Sequence, residues 1–584
     1  MHMTKSATPS EYRQATSEPA IQVRTVPGAA CASLTAAGVH PVLARVYAAR
    51  GLSTAIELEA NLQSLLPPAS LKGLAEAAVL LADAIEAGAF LLVIADYDAD
   101  GATACATALL GLKSMGAHVD FMVPDRQKHG YGLTPEIVRE AALLEPDLLI
   151  TVDNGIASVE GVEEAASLGI PVLVTDHHLP GDVLPQAEAI VNPNQAGCGF
   201  ASKALAGVGV MFYVLLALRA ELRVRGAFAD AAEPKLVDLL DLVALGTVAD
   251  VVPLDANNRL MVSIGLKRMR AGLARPGVQA LFEVARRDIR RASTRDLGFS
   301  IAPRLNAAGR LTDMRQGIAC LITPDAGTAR TLAEALDSLN QSRREIEIEM
   351  REAALAKLGN ADVQAGYCVV AFDPSWHQGV IGIVAARLRD RFHRPAVVLA
   401  PGEGEELKGS GRSVPGLHLR DCLDRIAKRQ PGLLLRFGGH ASAAGLSLQR
   451  KDLARFEAAF EEAAAAMMSP EDLQETLWAD GELSATDLEL DLAEALDTGV
   501  WGKDFPEPVF RGRFRVLDHR IVGERHLRLR LGLGTARVEA MLFGDTGPLP
   551  ECIEALYQLA VNEWNGVRRT QLTIRHWLAA PSAS

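Results

Sequence analysis

The chain has 584 residues, and 59 Lys and Arg stand against 72 Asp and Glu, which gives a formal net charge of −13. A hydrophobic fraction of 49% and a charged fraction of 22% are typical of globular proteins and exclude global disorder and collagen-like or low-complexity architectures. The length predicts roughly three to five domains, and the acidic balance argues against a protein that coats nucleic acid non-specifically.

Cysteine usage and the N-terminal segment indicate the cellular compartment of the protein. The seven cysteines are scattered and form no Cys-x-x-Cys pair, which indicates neither a disulfide framework nor a zinc ribbon and favours the reducing cytoplasm. Residues 1–20 are polar and lack the apolar core of a signal peptide. The longest apolar run, near Ala204–Leu218, is shorter than the roughly 20 residues that span a bilayer, so we expect a buried core helix and no membrane association.

The first half of the chain is predicted to contain an N-terminal arm with short helices (residues 1–70, loose or disordered over 1–30) and then an α/β domain (residues 71–323). From residue 90 onward, short apolar runs alternate with helical stretches, which is the pattern of a mainly parallel sheet. The predicted strands are Phe90–Ala95, His118–Val123, Leu148–Val152 and Pro171–Thr175.

The second half is predicted to begin with a connecting helix over residues 324–360, because the charged stretch Thr328–Leu358 contains neither Pro nor Gly. A second α/β domain is expected over residues 361–470. In residues 471–584 the alternating runs predict β-strands that form a small barrel or sandwich.

Three carboxylates at alternate positions follow the first predicted strand, in Asp96–Gly101. Their mutual repulsion is unfavourable unless cations bind, and the carboxyl end of a parallel strand is where α/β folds place their sites. A solvated acidic turn and a calcium loop are the alternatives, but no Glu follows at EF-hand spacing and no flanking helices are evident. The segment therefore predicts a metal site.

The next strand ends are similar. Leu148–Val152 runs into Asp153-Asn154-Gly155, Pro171–Thr175 runs into Asp176-His177-His178, and an apolar helical run ends at Asp250. Asp and His without Cys favour Mn²⁺ or Mg²⁺ over structural zinc. More carboxylates than one ion needs favour a two-metal site, which bridges a hydroxide and holds the oxygens of a phosphoester.

These motifs resemble those of the DHH phosphoesterase superfamily, and further motifs are similar to those of its RecJ family of bacterial exonucleases. The further motifs are Arg304–Arg310, Ser375–Gly382, Gly409–Ser413, Phe437–Ala441, Trp501-Gly502 and Phe505–Pro508. The resemblance covers roughly residue 90 to the C-terminus. It implies two α/β lobes, DHH and DHHA1, which a long helix joins, and a C-terminal OB-fold barrel that binds nucleic acid.

The resemblance also implies the activity. It predicts a metal-dependent exonuclease that is specific for single-stranded DNA and releases 5′-mononucleotides in the 5′→3′ direction. The roles it implies are DNA repair, recombination and mismatch repair. The polarity is implied by the resemblance alone. A helicase and a single-strand-binding protein are the implied partners, although no docking motif is visible, and we expect a monomer.

For the metals, the resemblance implies two divalent cations, Mn²⁺ preferred or Mg²⁺. Asp98 and Asp153 would hold one ion. Asp100, Asp153, His177 and Asp250 would hold the other, so that Asp153 bridges the two.

Three more residues would complete the catalytic centre. Asp96 lies beside the ligands, either as a ligand through water or behind them. His178 faces the scissile phosphate, where it would stabilise charge or assist the leaving oxygen. Asp176 would orient the histidines.

A further set is expected to contact phosphate: Arg304, Asn306, Arg310, His377, Ser410, Arg412, Gly438, Gly439 and His440. The arginines suit bidentate phosphate binding, and backbone N–H groups of a loop at Gly409–Ser413 would form an anion nest. The glycine pair would allow close backbone approach. The alternatives are a surface loop for Arg304 and Arg310, a plain turn for the glycines and a structural contact for His377.

Residues 511–530 contain seven Arg against Asp518 and Glu524, a local charge of +5. On an alternating strand, Arg511, Arg513 and Arg515 project from one face. This face predicts an electrostatic track for a single strand, and a solvated basic face is the alternative.

Two other functions remain open. A small-substrate phosphodiesterase or pyrophosphatase of the superfamily is usually shorter and lacks the barrel. A pyrophosphatase would also carry His where Ile94 stands. A non-catalytic replication scaffold, as in the eukaryotic relatives, would have lost metal-binding residues, whereas every acidic motif is present here.

Overall fold

The computed structural model describes residues 18–581, except 126, 127, 231, 359–362, 364 and 565. Its chain divides into two compact units. The first unit comprises residues 54–341 and 498–507. The described part of the second unit comprises residues 18–53, 342–497 and 508–581.

The segment predicted as part of a loose arm is structured from residue 20 onward. Strand β1 (Ala20–Val23) pairs in parallel with Thr476–Ala479 of the same unit. Helices α1 (Gly28–Ala36) and α2 (Pro41–Ala48) follow, and α2 begins at a proline, whose fixed φ suits the first helical position. This corrects the arm prediction over the described residues. Residues 1–17 of the predicted arm lie outside them.

A parallel sheet forms the core of the first unit. Its strands are β2 (Phe90–Ala95), β3 (His118–Met122), β4 (Leu148–Val152), β5 (Val172–Thr175) and β6 (Ala189–Val191). The spatial order is β3-β2-β4-β5-β6, and every pairing is parallel. The four predicted strands are confirmed, and β6 was not predicted. Because the chain passes from β3 across β2 to β4, the order reverses beside β2, where such sheets bind ligands at their carboxyl edge.

The helices of the first unit are α3 (Leu74–Glu86), α4 (Ala99–Ser114), α5 (Pro135–Ala142), α6 (Val159–Ser167), α7 (Gly207–Val224), α8 (Leu240–Ala249), α9 (Ala256–Arg270), α10 (Pro276–Val284), α11 (Thr294–Asp296), α12 (Ala302–Leu311) and α13 (Arg315–Ile322). A π-helical turn, Leu297–Ile301, joins α11 to α12. The long apolar run lies in α7, which is largely buried and is therefore a core helix, as predicted.

The described helices differ in length and in apolar content. None of them alone is long and apolar enough to cross a bilayer. The segments Leu62–Ser70 and Leu74–Glu86 meet at a sharp bend. Together they have the length and composition of a membrane span, and nothing else marks them as one.

The predicted connecting helix is α14 (Ala326–Lys357). The second unit then contains β7 (Val369–Phe372), α15 (Ile381–Phe392), β8 (Ala396–Pro401), β9 (Glu406–Arg412), α16 (Leu419–Arg429), β10 (Arg436–Gly439), β11 (Ala443–Gln449) and α17 (Leu453–Met467). The sheet order is β10-β11-β9-β8-β7. Only β7 and β8 pair in parallel, so this is a mixed sheet.

The last segment folds as predicted into a closed barrel. Its elements are β12 (Thr476–Ala479), α18 (Leu490–Asp497), β13 (Phe510–Val522), β14 (His526–Leu533), β15 (Ala536–Phe543), β16 (Cys552–Trp564) and β17 (Val567–Ala579). The barrel order is β13-β14-β15-β17-β16. Phe510, Phe514 and Tyr557 are buried in it, because alternate residues of a barrel strand face the interior.

Candidate active site

The acidic segment after β2 forms the start of α4. Asp98 caps this helix, since its Oδ1 accepts from the N–H groups of Asp100 at 2.9 Å and Gly101 at 3.0 Å. The Asp100 carboxylate accepts from the N–H groups of Gly207 at 2.6 Å and Val208 at 3.0 Å. These two amides begin α7, and the amino end of a helix stabilises an anion. The amino ends of α4 and α7 therefore fix the carboxylates of Asp98 and Asp100, respectively.

The ends of β4 and β5 bring Asp153 and His177 together. Asp153 has a φ of 63°, in the left-handed region that non-glycine residues rarely adopt. Its Oδ1 lies 3.1 Å from His177 Nε2, and neither buried atom has a hydrogen-bond partner among the described residues. His177 Nε2 also lies 3.5 Å from Asp250 Oδ2 and 3.9 Å from Asp100 Oδ2.

Three overlapping groups have the spacing of cation ligands. In each group the ligand atoms lie within 4.8 Å of one another: Asp96 with Asp98 and Asp153, Asp100 with His177 and Asp250, and Asp153 with His177 and His178. The residues predicted to bind metal thus converge at one sheet edge. The unbonded Asp153 oxygen and His177 nitrogen fit divalent cations, which bind such oxygen and imidazole donors.

The pKa values of these ligands reflect burial and mutual repulsion. Burial and the Asp250 charge raise the pKa of Asp100 to about 7, and burial and the Asp98 charge raise the pKa of Asp250 to about 7. Burial and the Asp100 charge raise the pKa of Asp153 well above its ordinary value. Burial lowers the pKa of His177, which favours the neutral form that binds metals. The carboxylates of the cluster therefore repel one another, and bound cations would supply the positive charge that stabilises them.

Asp176 orients the histidine pair. Its Oδ1 lies 2.7 Å from His178 Nδ1 and accepts the N–H of His177 at 2.7 Å and of His178 at 3.1 Å. The Ile156 N–H donates to its Oδ2. Burial disfavours the charged imidazole, but the hydrogen bond and charge of Asp176 outweigh it and raise the pKa of His178 to about 9. This shift favours the protonated imidazole.

Tyr131 is a site residue that the sequence analysis missed. Its hydroxyl donates to the Asp153 carbonyl at 3.2 Å and lies 3.1 Å from His178 Nδ1. The available signal was weak, because one Tyr between Gly130 and Gly132 is typical of an ordinary turn.

Asn192 and Asn194 were also missed. They follow β6 and donate to the backbone carbonyls of His178 at 2.9 Å and His177 at 2.6 Å. The signal was a polar segment directly after a short apolar run, the same pattern that marked the other strand ends.

The motif Arg304–Arg310 lies in α12 rather than in a surface loop. The Arg304 guanidinium donates to the Ser300 carbonyl and pairs with Asp337 at 2.7 Å. These two contacts hold the guanidinium within the fold, and its role in phosphate binding stays a prediction. Asn306 lies against the metal-binding segment, where its Oδ1 accepts the Ala99 N–H at 2.8 Å. Arg310 is half-buried near the end of α12.

Gly409–Ser413 was predicted as an anion-binding loop, but it lies mostly in β9. Its backbone pairs with β8 and β11, so the predicted nest of backbone N–H groups is wrong. The glycines alternate with Ser410 and Arg412, whose side chains reach α15. Gly382 of α15 shows how close they come, because a Cβ on this glycine would lie 2.9 Å from Ser410 Oγ and 3.0 Å from the Arg412 guanidinium.

His377 and the glycine pair lie in turns of the same unit. His377 Nδ1 accepts the Gly379 N–H at 3.1 Å, just before α15. Gly439 has a φ of 137° at the turn from β10 to β11, and the His440 N–H donates to the Ala443 carbonyl at 2.7 Å. Gly438, Gly439 and His440 are exposed. The turn alone requires Gly439, because a Cβ there would lie 2.5 Å from the Ala443 carbonyl oxygen.

The predicted basic track on β13 carries less charge than the sequence indicates. Arg511 and Arg513 bond Glu554 at 2.5 and 3.3 Å, and Arg515 pairs with Glu551 at 3.3 Å. Glu554 lies on β16, directly opposite Arg513 in the register. These pairs reduce the charge of the track, because a charge count along one strand omits the neighbouring strand, and the track itself stays a prediction.

Known proteins resemble the chain in sequence. Residues 91–247 match the DHH family N-terminal domain, residues 364–467 the DHHA1 domain and residues 479–576 the RecJ OB domain. The single-stranded-DNA-specific exonuclease RecJ of Escherichia coli is 48% identical over 554 residues, which cover 92% of this chain and 96% of that protein.

Solved structures resemble this chain in fold. The crystal structure of RecJ from Thermus thermophilus in complex with Mn²⁺ has a TM-score of 0.82 and 32% identity, and the match covers 96% of this chain and 80% of that chain. The corresponding complex with Mg²⁺ has a TM-score of 0.77 and 30% identity, with coverages of 98% and 79%.

Proposed function

The chain belongs to the RecJ family of exonucleases, and on that premise we propose that it degrades single-stranded DNA from the 5′ end and releases 5′-mononucleotides. The observation that carries the proposal is the pair of unbonded ligand atoms, Asp153 Oδ1 and His177 Nε2, inside a cluster of carboxylates. Such a site requires divalent cations for phosphoester hydrolysis. The 5′→3′ direction rests on the family resemblance.

We assign two cation positions, for Mn²⁺ or Mg²⁺. Asp98 and Asp153 would hold one ion, with Asp96 beside them, and Asp100, His177 and Asp250 would hold the other with Asp153 as the bridge. Bound cations in such sites supply a hydroxide nucleophile at neutral pH and stabilise charge on the phosphate oxygens.

His178 and Asp176 would act on the leaving group. A protonated imidazole can stabilise the developing charge or donate a proton to the departing 3′-oxygen. The short contact between Asp176 and His178 holds the ring in place and keeps the proton on it. Tyr131 would support both groups, because its hydroxyl contacts His178 and the Asp153 carbonyl.

The second unit would supply the phosphate contacts. Ser410 and Arg412 lie together beside the N-terminal turn of α15, and backbone donors there favour anions. We propose that His377 and the turn Gly438-Gly439-His440 add to these contacts, and that the barrel holds the rest of the strand. Arg310 of the first unit would add a further phosphate contact. We also propose the domain boundaries 71–323, 361–470 and 471–584.

In the cell, we propose that the protein acts as a cytoplasmic monomer in repair and recombination. A helicase and a single-strand-binding protein would present the single strand to it. Co-purification with such partners on a forked DNA substrate tests this part separately.

The activity is tested on single-stranded DNA labelled at either the 5′ or the 3′ end, with Mn²⁺, Mg²⁺ or EDTA. We expect the 5′ label to be released first as a mononucleotide, with no cleavage in EDTA. Asp153→Ala should lower the rate at least about 100-fold, whereas Asp182→Asn, an exposed aspartate outside the cluster, should not. Early release of the 3′ label, cleavage of very short oligonucleotides alone, or an active Asp153→Ala variant would contradict the proposal.

A further inference from the structure

The first turn of α4 has its backbone donors divided between two side chains. The first N–H groups of a helix have no partner within the helix. Asp98 Oδ1 accepts those of Asp100 and Gly101, and Asn306 Oδ1 accepts that of Ala99 at 2.8 Å. Ala99 is 1% exposed. Asn306 therefore satisfies the donor that Asp98 leaves unbonded.

This division affects how Asp98 faces a cation. With Oδ1 committed to two backbone donors, the other carboxylate oxygen remains for a metal. Without the Asn306 side chain, the buried Ala99 N–H would have no partner, and buried donors without partners are unfavourable. The Asp98 carboxylate, one residue away, would then be drawn towards a third donor and away from its present orientation.

Packing of α12 against the same segment supports this role. One turn after Asn306, a Cβ on Gly309 would lie 1.8 Å from the Tyr97 carbonyl oxygen. Residues at i and i+3 share one face of a helix, so this face of α12 contacts the metal-binding segment at both Tyr97 and Ala99. The contact is close enough to require glycine at residue 309.

We propose that Asn306 is a positioning residue, which orients Asp98 for cation binding by holding the Ala99 N–H, rather than a donor to the substrate phosphate. The proposal rests on the proposed two-cation site. Its test measures metal binding without DNA. The proposal about Asn306 can therefore fail while the proposed nuclease activity is confirmed.

The test is Mn²⁺ titration of the full chain by calorimetry, with thermal melting to confirm folding. Asn306→Ala should weaken Mn²⁺ binding about 10-fold, the usual effect of losing a residue that supports a metal ligand. Asn306→Asp keeps an oxygen at the accepting position and should bind Mn²⁺ at least as tightly as the unchanged chain. Asn61→Ala is the matched control, because Asn61 Oδ1 makes an equivalent bond to the Gln63 N–H at 3.0 Å outside the metal cluster.

A phosphate-donor role predicts the opposite pattern. In that case Asn306→Ala would bind Mn²⁺ normally and raise KM for DNA, and Asn306→Asp would raise it further through repulsion. Unchanged Mn²⁺ affinity in Asn306→Ala, or equal losses in both variants, would overturn the proposal. If Asn306→Ala does not fold, Asn306→Asp decides alone through both measurements. Unchanged Mn²⁺ affinity with an unchanged KM for DNA supports the proposal, whereas a loss of Mn²⁺ affinity, or a raised KM with unchanged affinity, overturns it.

Discussion

Asp153 has three features that each cost free energy. It has a φ of 63°, a buried carboxylate and an Oδ1 without a hydrogen-bond partner among the described residues. The backbone strain costs about 1 kcal/mol, and burial of an unpaired carboxylate costs several more. Tyr131 holds the strained backbone through the Asp153 carbonyl. Such costs persist where surrounding contacts impose the geometry, which is typical of functional sites.

Protonation of the ligands predicts a pH dependence of metal binding. Asp100 and Asp250 have a pKa of about 7 because of burial and repulsion, so protons compete with the metal below that pH. The affinity for Mn²⁺ should fall as pH falls from 8 to 6, by about 10-fold for each of these carboxylates. Calorimetric titration at pH 6, 7 and 8 measures it.

The control for this prediction is Asp250→Asn, which removes one titrating group and should make the pH dependence shallower. An affinity that is constant between pH 6 and 8 would show that these carboxylates are not ligands, or that they titrate at much lower pH.

Among the elements, the helix termini of α4 and α7 build the site. The first two amides of α7 hold Asp100, and its first residue leaves room for Asp153. A Cβ on Gly207 would lie 2.5 Å from the Asp153 Cβ and 2.6 Å from its Oδ1. This glycine therefore allows a helix amino end to approach two metal-binding carboxylates together.

Gly207→Ala should therefore displace Asp153 and lower nuclease activity at least about 10-fold, with a matching loss of Mn²⁺ affinity. Gly209→Ala, at a neighbouring position of the same helix, should have little effect, because the two nearest atoms to its Cβ, Leu205 Cδ2 at 3.2 Å and Met261 Cε at 3.6 Å, are ends of flexible side chains. Similar activities in the two variants would contradict this role of Gly207.

In the barrel, strand pairing determines which arginines are available. Arg511, Arg513 and Arg515 face carboxylates of the adjoining segment. Arg520 and Arg525 lie at the exposed end of the β13–β14 hairpin, and within the described part of the chain they form no ion pair. Arg520 faces Arg528 across the hairpin, but Arg528 pairs with Glu539 at 2.6 Å, so Arg520 and Arg525 carry the available positive charge there.

Reversal of Arg520 and Arg525 to Glu should therefore weaken binding of long single strands more per residue than reversal of Arg511, Arg513 and Arg515. It should also reduce the salt dependence of binding, since fewer counterions are released. Fluorescence anisotropy with a long and a very short oligonucleotide at several salt concentrations measures this. Equal losses for both oligonucleotides would place the hairpin outside the strand-binding surface.

For the whole molecule, the two units have separate cores. All the candidate ligand residues belong to the first unit, whereas Ser410, Arg412 and the barrel belong to the second. The net charge of −13 includes six aspartates at the site, which two divalent cations would largely neutralise. These aspartates are Asp96, Asp98, Asp100, Asp153, Asp176 and Asp250. The overall acidity is therefore compatible with a nucleic-acid substrate.

This division predicts how Mn²⁺ affects unfolding. A ligand that binds one folded unit stabilises that unit by about 2.7 kcal/mol at a concentration of 100 times its Kd. Calorimetric scans should show Mn²⁺ raising the Tm of one transition and leaving the other unchanged. Asp153→Ala should abolish the increase, and an equal shift of the whole profile would indicate that the units unfold together.

The sequence by itself determined the α/β class, the order of the domains and the convergence of the acidic strand ends. It could do so because neighbouring parallel strands end at one edge of the sheet, so local patterns carried the relevant geometry. Only the tertiary structure decided the pairing of β1, the contacts of Arg304 and Asn306 within the fold, the place of Gly409–Ser413 in a strand and the carboxylate partners of the β13 arginines. Each of these depends on a contact between residues far apart in the chain, and the charge or hydrogen-bonding capacity of a side chain is known only once its partner is known.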